Sequence, residues 1–187
     1  MESAPLDRQS LHAELDRAAD DFRQLLAEAT AQDLRRASDG TRWNNEQLLF
    51  HMLFGFLIVR ALLPLVGFVS RMPHAAQSGF TKPLNMAQRP FDTVNYWGPV
   101  IGAKVFNHKR MGRRLDRVIA SLHRHLDADS HAALERTMPY PTSWDPFFTA
   151  QMSRADLYHY AYQHYEFHRH QLTLATDTDQ TTSGSMK

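Results

Sequence analysis

The chain has 187 residues, of which 43% are hydrophobic and 22% charged, a composition typical of a globular protein with one sizeable core. Its 21 basic and 20 acidic residues nearly cancel, and no row of basic side chains is interleaved with aromatics, which argues against a nucleic-acid partner. Cysteine is absent, which excludes disulfides and thiolate ligands and leaves His, Asp and Glu as metal ligands. The first residues have no signal-peptide pattern, so we expect a cytoplasmic protein.

The first half of the chain predicts two long helices. Apolar residues recur at helical spacing from about Leu6 to Ala29. A second helix is predicted from Asn44 to about Ser70, because the Asn44 side chain can cap it while Gln47 reaches back to the cap.

The second predicted helix contains an apolar run, Leu48 to Val69, that is long enough to span a bilayer. His51, Arg60 and Pro64 interrupt the run, and a central arginine is costly in lipid. We therefore predict a buried core helix rather than a membrane span. Its outer apolar positions could instead form the seam of a homodimer: Phe54, Ile58 and Leu62.

The second half predicts two further helices. One runs from about Pro99 to Leu126, with Pro99 in its first turn, and the other runs from a Ser153 cap to about Ala175. The sequence thus predicts an all-α four-helix bundle with long crossover loops. We expect one domain over residues 1–176 and a polar, disordered tail over residues 177–187.

The last predicted helix carries two histidines at i, i+4 spacing. His164 and His168 stand about 40° apart on one face, where two ligands of a single metal ion could lie, and Tyr160 and Gln171 flank them. Such a pair can equally be a packed polar seam. His51 offers a third ligand, because a polar side chain within an apolar helix needs a partner. Two more histidines of the helix point away from this face: His159 and His170.

Two segments carry a resemblance to a known family. The family motifs are matched by WNNEQLLFH, from Trp43 to His51, and by HYEFHRHQL, from His164 to Leu172. Together and in this order they resemble the DinB-like superfamily. The resemblance implies a four-helix bundle in which His51, His164 and His168 bind a divalent metal ion, commonly zinc or nickel. The superfamily includes bacillithiol and mycothiol S-transferases and a mycothiol-dependent maleylpyruvate isomerase, which implies a low-molecular-weight thiol as co-substrate.

Three functions fit these residues. A metal ion on three histidines could activate a small-molecule thiol for transfer to an electrophile, or activate water to hydrolyse an ester or amide. Hydrolysis needs an acid or base, for which Glu46, Asp145 and Asp156 are candidates. The third hypothesis is a protein that binds metal or a small molecule without catalysis.

The substrate cleft is predicted from aromatic residues in the loops before the last two helices. The alternative is that these aromatics only close the ends of the bundle. The candidate lining residues are Tyr96, Trp97, Trp144, Phe147 and Phe148, together with Tyr160 and Gln171 beside the histidines. A row of arginines on the third predicted helix is typical of a solvated face, although it could bind an acidic group: Arg110, Arg113, Arg114 and Arg117.

Overall fold

The computed structural model describes residues 6–73, 77, 79, 88–143 and 145–174. Within these residues the chain forms seven helices and two short strands. In chain order they are α1 Arg8–Glu28, α2 Ala31–Arg35, α3 Asn45–Val69, α4 Gln88–Val105, α5 His108–Ala128, α6 His131–Leu134, β1 Thr137–Pro139, β2 Gln151–Ser153 and α7 Arg154–Arg169. The two strands pair antiparallel, with Met138 opposite Met152.

Helices α1, α3, α5 and α7 form a bundle. Helix α3 packs against α5 and α7, and α1 packs against the same two helices, so the four helices surround one core. Helix α4 packs on α3 from outside this ring. The core is filled by buried apolar and aromatic side chains from all four helices, among them Leu15, Phe22, Leu53, Phe56, Leu122 and Tyr165. The predicted all-α bundle is confirmed.

Capping side chains fix where two of these helices begin. The Asn44 side chain accepts a hydrogen bond from the Gln47 amide, and the Gln47 side chain accepts one from the Asn44 amide. Ser153 and Asp156 make the same reciprocal pair at the start of α7. Each pair satisfies backbone donors that the first helical turn leaves without partners, which explains why local sequence located both starts.

The predicted bounds of the third helix are wrong. The structure divides that region into α4, which starts before Pro99 and contains it, and α5, which begins at His108. Asn107 lies between them with an extended ψ of 166° and occupies the cap position of α5. The same apolar spacing continues on both sides of this break, so periodicity alone did not reveal it. Pro99 lies in the interior of α4, where proline removes one backbone hydrogen bond, so the rule that placed it in a first turn failed here.

The last helix also ends earlier than predicted, at Arg169, because the following residues return to the loop before α3. The side chain of Asn45, which is fully buried, accepts a hydrogen bond from the Thr173 amide at 3.1 Å and donates to the Asp33 carbonyl at 2.8 Å. The Asp39 amide donates to the Gln171 carbonyl at 2.8 Å. These bonds hold residues 171–174, here called the C-terminal segment, against residues 36–45. The predicted tail, 177–187, lies outside the described residues.

Helix α3 is long and apolar enough to cross a membrane by length and composition alone, with a mean hydropathy of 2.3 in its most apolar window. The core helix of a soluble protein passes the same test. Near its start α3 is buried on all sides, from Leu48 to Leu53, and farther along the bundle buries Phe56 and Leu63, as predicted for a core helix. Part of the predicted dimer seam is covered by α4, because the Phe54 ring packs close to Gly98. A homodimer stays a prediction.

Candidate metal centre

Two helices of the bundle bring three histidines together. His51 projects from α3, and His164 and His168 project from α7. The Nε2 atom of His51 lies 3.1 Å from that of His168 and 3.2 Å from that of His164. His51 and His164 are buried, and His168 is partly buried. The structure therefore places the three predicted ligands around one point.

The two separations from His51 fit a bound ion, and all three ligand atoms lie within 4.8 Å of one another. A tetrahedral zinc-type ion with bonds of about 2.0–2.1 Å holds its ligand nitrogens roughly 3.3 Å apart. Hydrogen bonds alone do not satisfy the group, because the His51 Nε2 atom is either a donor or an acceptor and contacts two other nitrogens. A cation at the common point would accept a lone pair from all three rings.

The surroundings keep the three rings uncharged. Burial, with a smaller contribution from His168, lowers the pKa of His51 to about 3. Burial also lowers the pKa of His164 well below the ordinary value and, opposed by Gln171 and Asp145, lowers the pKa of His168. Neutral imidazole is the form that binds metal, so the group needs no deprotonation near pH 7.

Gln171 has a role in this centre that the sequence did not reveal. Its side-chain oxygen lies 2.7 Å from the His168 Nδ1 atom and must accept a hydrogen bond from it. This bond places the hydrogen on Nδ1 and leaves the Nε2 lone pair directed at the other histidines, as is usual for metal ligands. The Nδ1 atoms of His51 and His164 have no hydrogen-bond partner among the described residues.

Gly55 makes room for His164. It lies one helical turn after His51 on α3, and a Cβ atom placed on it would be only 2.7 Å from the His164 Nδ1 atom. The sequence held a signal for this contact, since glycine inside a helix costs about 1 kcal/mol relative to alanine and often marks a close approach. We had not assigned Gly55 a role from the sequence.

Trp43 contacts the centre as well. Its ring lies 4.5 Å from the His51 ring, centroid to centroid. Tyr96 stacks on its other side, with ring centroids 6.5 Å apart. Trp43 thus connects the buried histidines to the protein surface.

An open cavity of about 430 Å³ adjoins the centre on the side of His168. Three aromatic residues form part of its wall, Trp43, Tyr96 and Phe167, and Gln171 lies beside His168. The lining residues are Gly40, Thr41, Arg42, Trp43, Tyr96, Phe167, His168 and Gln171. Of the predicted cleft residues, Tyr96 and Gln171 line this cavity directly.

The other predicted cleft residues lie elsewhere. Phe147 packs edge-on against Phe167, with ring centroids 5.6 Å apart, and so supports the cavity wall from behind. Trp97 lines a separate apolar groove beside α4, and Phe148 packs against the Tyr160 ring. Tyr160 is buried rather than facing the cavity. Trp144 lies outside the described residues.

Among the candidate acids and bases, Asp145 is the one that the structure brings near the histidines. It accepts a hydrogen bond from the Tyr160 hydroxyl at 3.0 Å and interacts electrostatically with His168. Burial raises its pKa, opposed mainly by its bond to the Phe147 amide. The Oε1 atom of Glu46 instead lies 3.7 Å from the Nδ1 atom of His108 on α5. Asp156 forms hydrogen bonds in the cap of α7.

The two histidines expected to point away do so. The Nδ1 atom of His159 lies 2.9 Å from both carboxylate oxygens of Glu14 on α1. His170 is exposed and ends α7. The arginines of α5 line a different cavity, of about 200 Å³, together with Phe106.

The chain also matches a known protein family. A model of the DinB superfamily matches residues 14–172. The chain belongs to the DinB superfamily. Proteins of this superfamily are generally soluble and commonly bind a divalent metal ion, and His51, His164 and His168 form a group that could hold one here. Searches of curated proteins and of solved structures gave no significant match.

Proposed function

We propose that this DinB superfamily protein is a metal-dependent enzyme that activates a small-molecule thiol for transfer to an electrophile. The proposal rests on three neutral imidazoles that converge beside an aromatic cavity in a chain without cysteine. Zinc or nickel would suit three imidazole ligands. An ion held in this way keeps its full positive charge, which favours the thiolate form of a thiol in its open position.

The residues of the chain position and enclose the reaction. Gln171 fixes the tautomer of His168, the ligand that lies on the cavity wall. Trp43, Tyr96 and Phe167 offer aromatic surface to an apolar electrophile and restrict water. The absence of cysteine means that the attacking sulfur has to come from a second substrate.

Asp145 is our candidate for the group that takes a proton. Its carboxylate is partly buried, and its raised pKa makes it a better proton acceptor than an exposed aspartate. Tyr160 holds it in place through the hydroxyl bond. The same carboxylate also keeps a second function open, the hydrolysis of an ester or amide at the same centre, since water activation needs a base.

The ligands can be tested by metal content. Replacing His51, His164 or His168 by Ala is expected to lower the zinc or nickel that stays with the purified protein. His159→Ala and His170→Ala serve as matched controls from the same helix and are expected to keep it. Elemental analysis after gel filtration measures both, and equal retention in all five variants would remove the proposed site.

The activity can be tested by thiol consumption. Protein reconstituted with zinc or nickel is mixed with a panel of low-molecular-weight thiols and a chromogenic aryl electrophile. We expect turnover that requires the ion, is lost in His168→Ala and falls in Asp145→Asn, but persists in His170→Ala. Turnover of an activated ester without thiol would favour the hydrolase. Metal retention with no turnover of any substrate would favour a binding protein.

A further inference from the structure

A second cluster of histidines and aspartates lies between α1 and α5, outside the centre described above. His12 and Asp16 are one turn apart on α1, and His123 and Asp127 are one turn apart on α5. The two Nδ1 atoms of the histidines are 2.6 Å apart. Their rings are nearly parallel, at 12°, with centroids 4.8 Å apart.

Each ring turns its other nitrogen toward a carboxylate of the facing helix. The Nε2 atom of His123 lies 3.0 Å from the Oδ1 atom of Asp16. The Nε2 atom of His12 lies 3.0 Å from the Oδ1 atom of Asp127. The two helices therefore contribute the same pair of residues, and each histidine contacts the aspartate of the other helix.

Two neutral imidazoles cannot satisfy these three contacts. If both Nε2 atoms carry hydrogens toward the carboxylates, the Nδ1 atoms present lone pairs to each other at 2.6 Å. If one Nδ1 atom carries the hydrogen, the Nε2 atom of that ring presents a lone pair to a carboxylate oxygen. One additional positive centre between the two Nδ1 atoms removes the conflict.

We propose that His12 and His123 form a second metal site, which takes a borderline divalent ion such as Zn²⁺, Ni²⁺ or Cu²⁺. Carboxylates on the outer nitrogens are the usual partners of metal-binding histidines, because they fix the tautomer that directs the lone pair at the ion. Imidazole nitrogens suit these ions, whereas Mg²⁺ and Ca²⁺ prefer oxygen ligands.

The pair has to open slightly to take the ion. Ligand nitrogens on a tetrahedral ion are roughly 3.3 Å apart, so the Nδ1 atoms must separate by less than 1 Å. The two imidazoles are 26% and 24% exposed, so small side-chain rotations suffice and the ion can enter from solvent. Asp16 and Asp127 stay on the outer Nε2 atoms, so the remaining positions of the ion are left to water.

The test is a titration of the full chain with Ni²⁺ or Zn²⁺ alone, followed by calorimetry and elemental analysis. We expect His12→Gln and His123→Gln to bind one equivalent fewer than the unchanged protein. His131→Gln is the matched control, because His131 pairs with Glu135 on an exposed helix without a second imidazole nearby. Asp16→Asn is expected to keep the equivalent but bind it about 10–100-fold more weakly.

The variant His168→Ala separates the two sites. It is expected to lose the first centre and still bind an equivalent that disappears in the double variant His168→Ala, His12→Gln. Circular dichroism verifies that each variant is folded. If His12→Gln binds as much metal as the unchanged protein in both backgrounds, the proposed site does not exist.

Discussion

Gly55→Ala isolates the geometry of the metal centre from the stability of the fold. The added Cβ would be 2.7 Å from the His164 Nδ1 atom, whereas ordinary contacts begin at 3.4 Å, so the ring has to move by about 0.7 Å. Metal–ligand distances tolerate deviations of only about 0.2 Å. Alanine in place of glycine inside a helix raises the free energy of unfolding by about 0.5–1 kcal/mol. We therefore expect metal affinity to fall about 10–100-fold, as for other changes that displace a ligand, while the metal-free protein keeps its fold.

The measurement is a competition for zinc between the protein and a chelator of known affinity. Gly98→Ala is the control, because it makes the same change inside α4, where the added Cβ would lie 3.7 Å from the Phe54 ring, an ordinary contact. Metal-free unfolding curves of both variants show the helix contribution separately. Equal zinc affinity in Gly55→Ala and Gly98→Ala would refute the conclusion that Gly55 sets the position of His164.

Three further changes test other parts of the structure. Gln171→Leu removes the acceptor of the His168 Nδ1 hydrogen, so we expect zinc affinity to fall about 10–100-fold in the same competition. Gln171→Glu is the control, because it retains an acceptor and is expected to keep most of the zinc affinity. Removing metal with a chelator is expected to lower the melting temperature without loss of the helical circular dichroism signal, since a core of this size folds without an ion; complete unfolding would contradict this. Burial, together with a hydrogen bond to Asp21, raises the pKa of Tyr165, so above about pH 10 the unfolded chain loses a proton that the folded chain keeps. The free energy of unfolding then falls as the pH rises, by about 1.4 kcal/mol per pH unit for each such tyrosine, and denaturant titrations of Tyr165→Phe should show a shallower decline.

The parts of the fold that depend on neighbouring residues were predictable from the sequence. The caps at Asn44 and Ser153 involve bonds three residues apart, and the spacing of His164 and His168 on one helical face follows from helix geometry alone. The break at Asn107 was not predicted, since the apolar spacing runs through it.

The supporting residues of the centre depend on tertiary packing. Gln171 reaches His168 because the C-terminal segment is bonded to the loop before α3, more than a hundred residues earlier in the chain. Gly55 matters because α7 approaches α3 at that turn. Helical spacing placed Gln171 beside the histidines but did not reveal its bond to the His168 Nδ1 atom. The contact of Gly55 has no local pattern, although the glycine inside an apolar helix was a signal that could have been used.

The return of the C-terminal segment to the loop before α3 also sets the order in which the centre is completed during synthesis. The ribosome releases the chain from its N-terminus, so α1, α3 and α5 emerge before His164, His168 and Gln171. A nascent chain at that stage has one of the three histidines and none of the support for His168. The three histidines can therefore meet only after residue 168 has been synthesised, and a chain interrupted before residue 164 is left without the centre even when its first helices have packed.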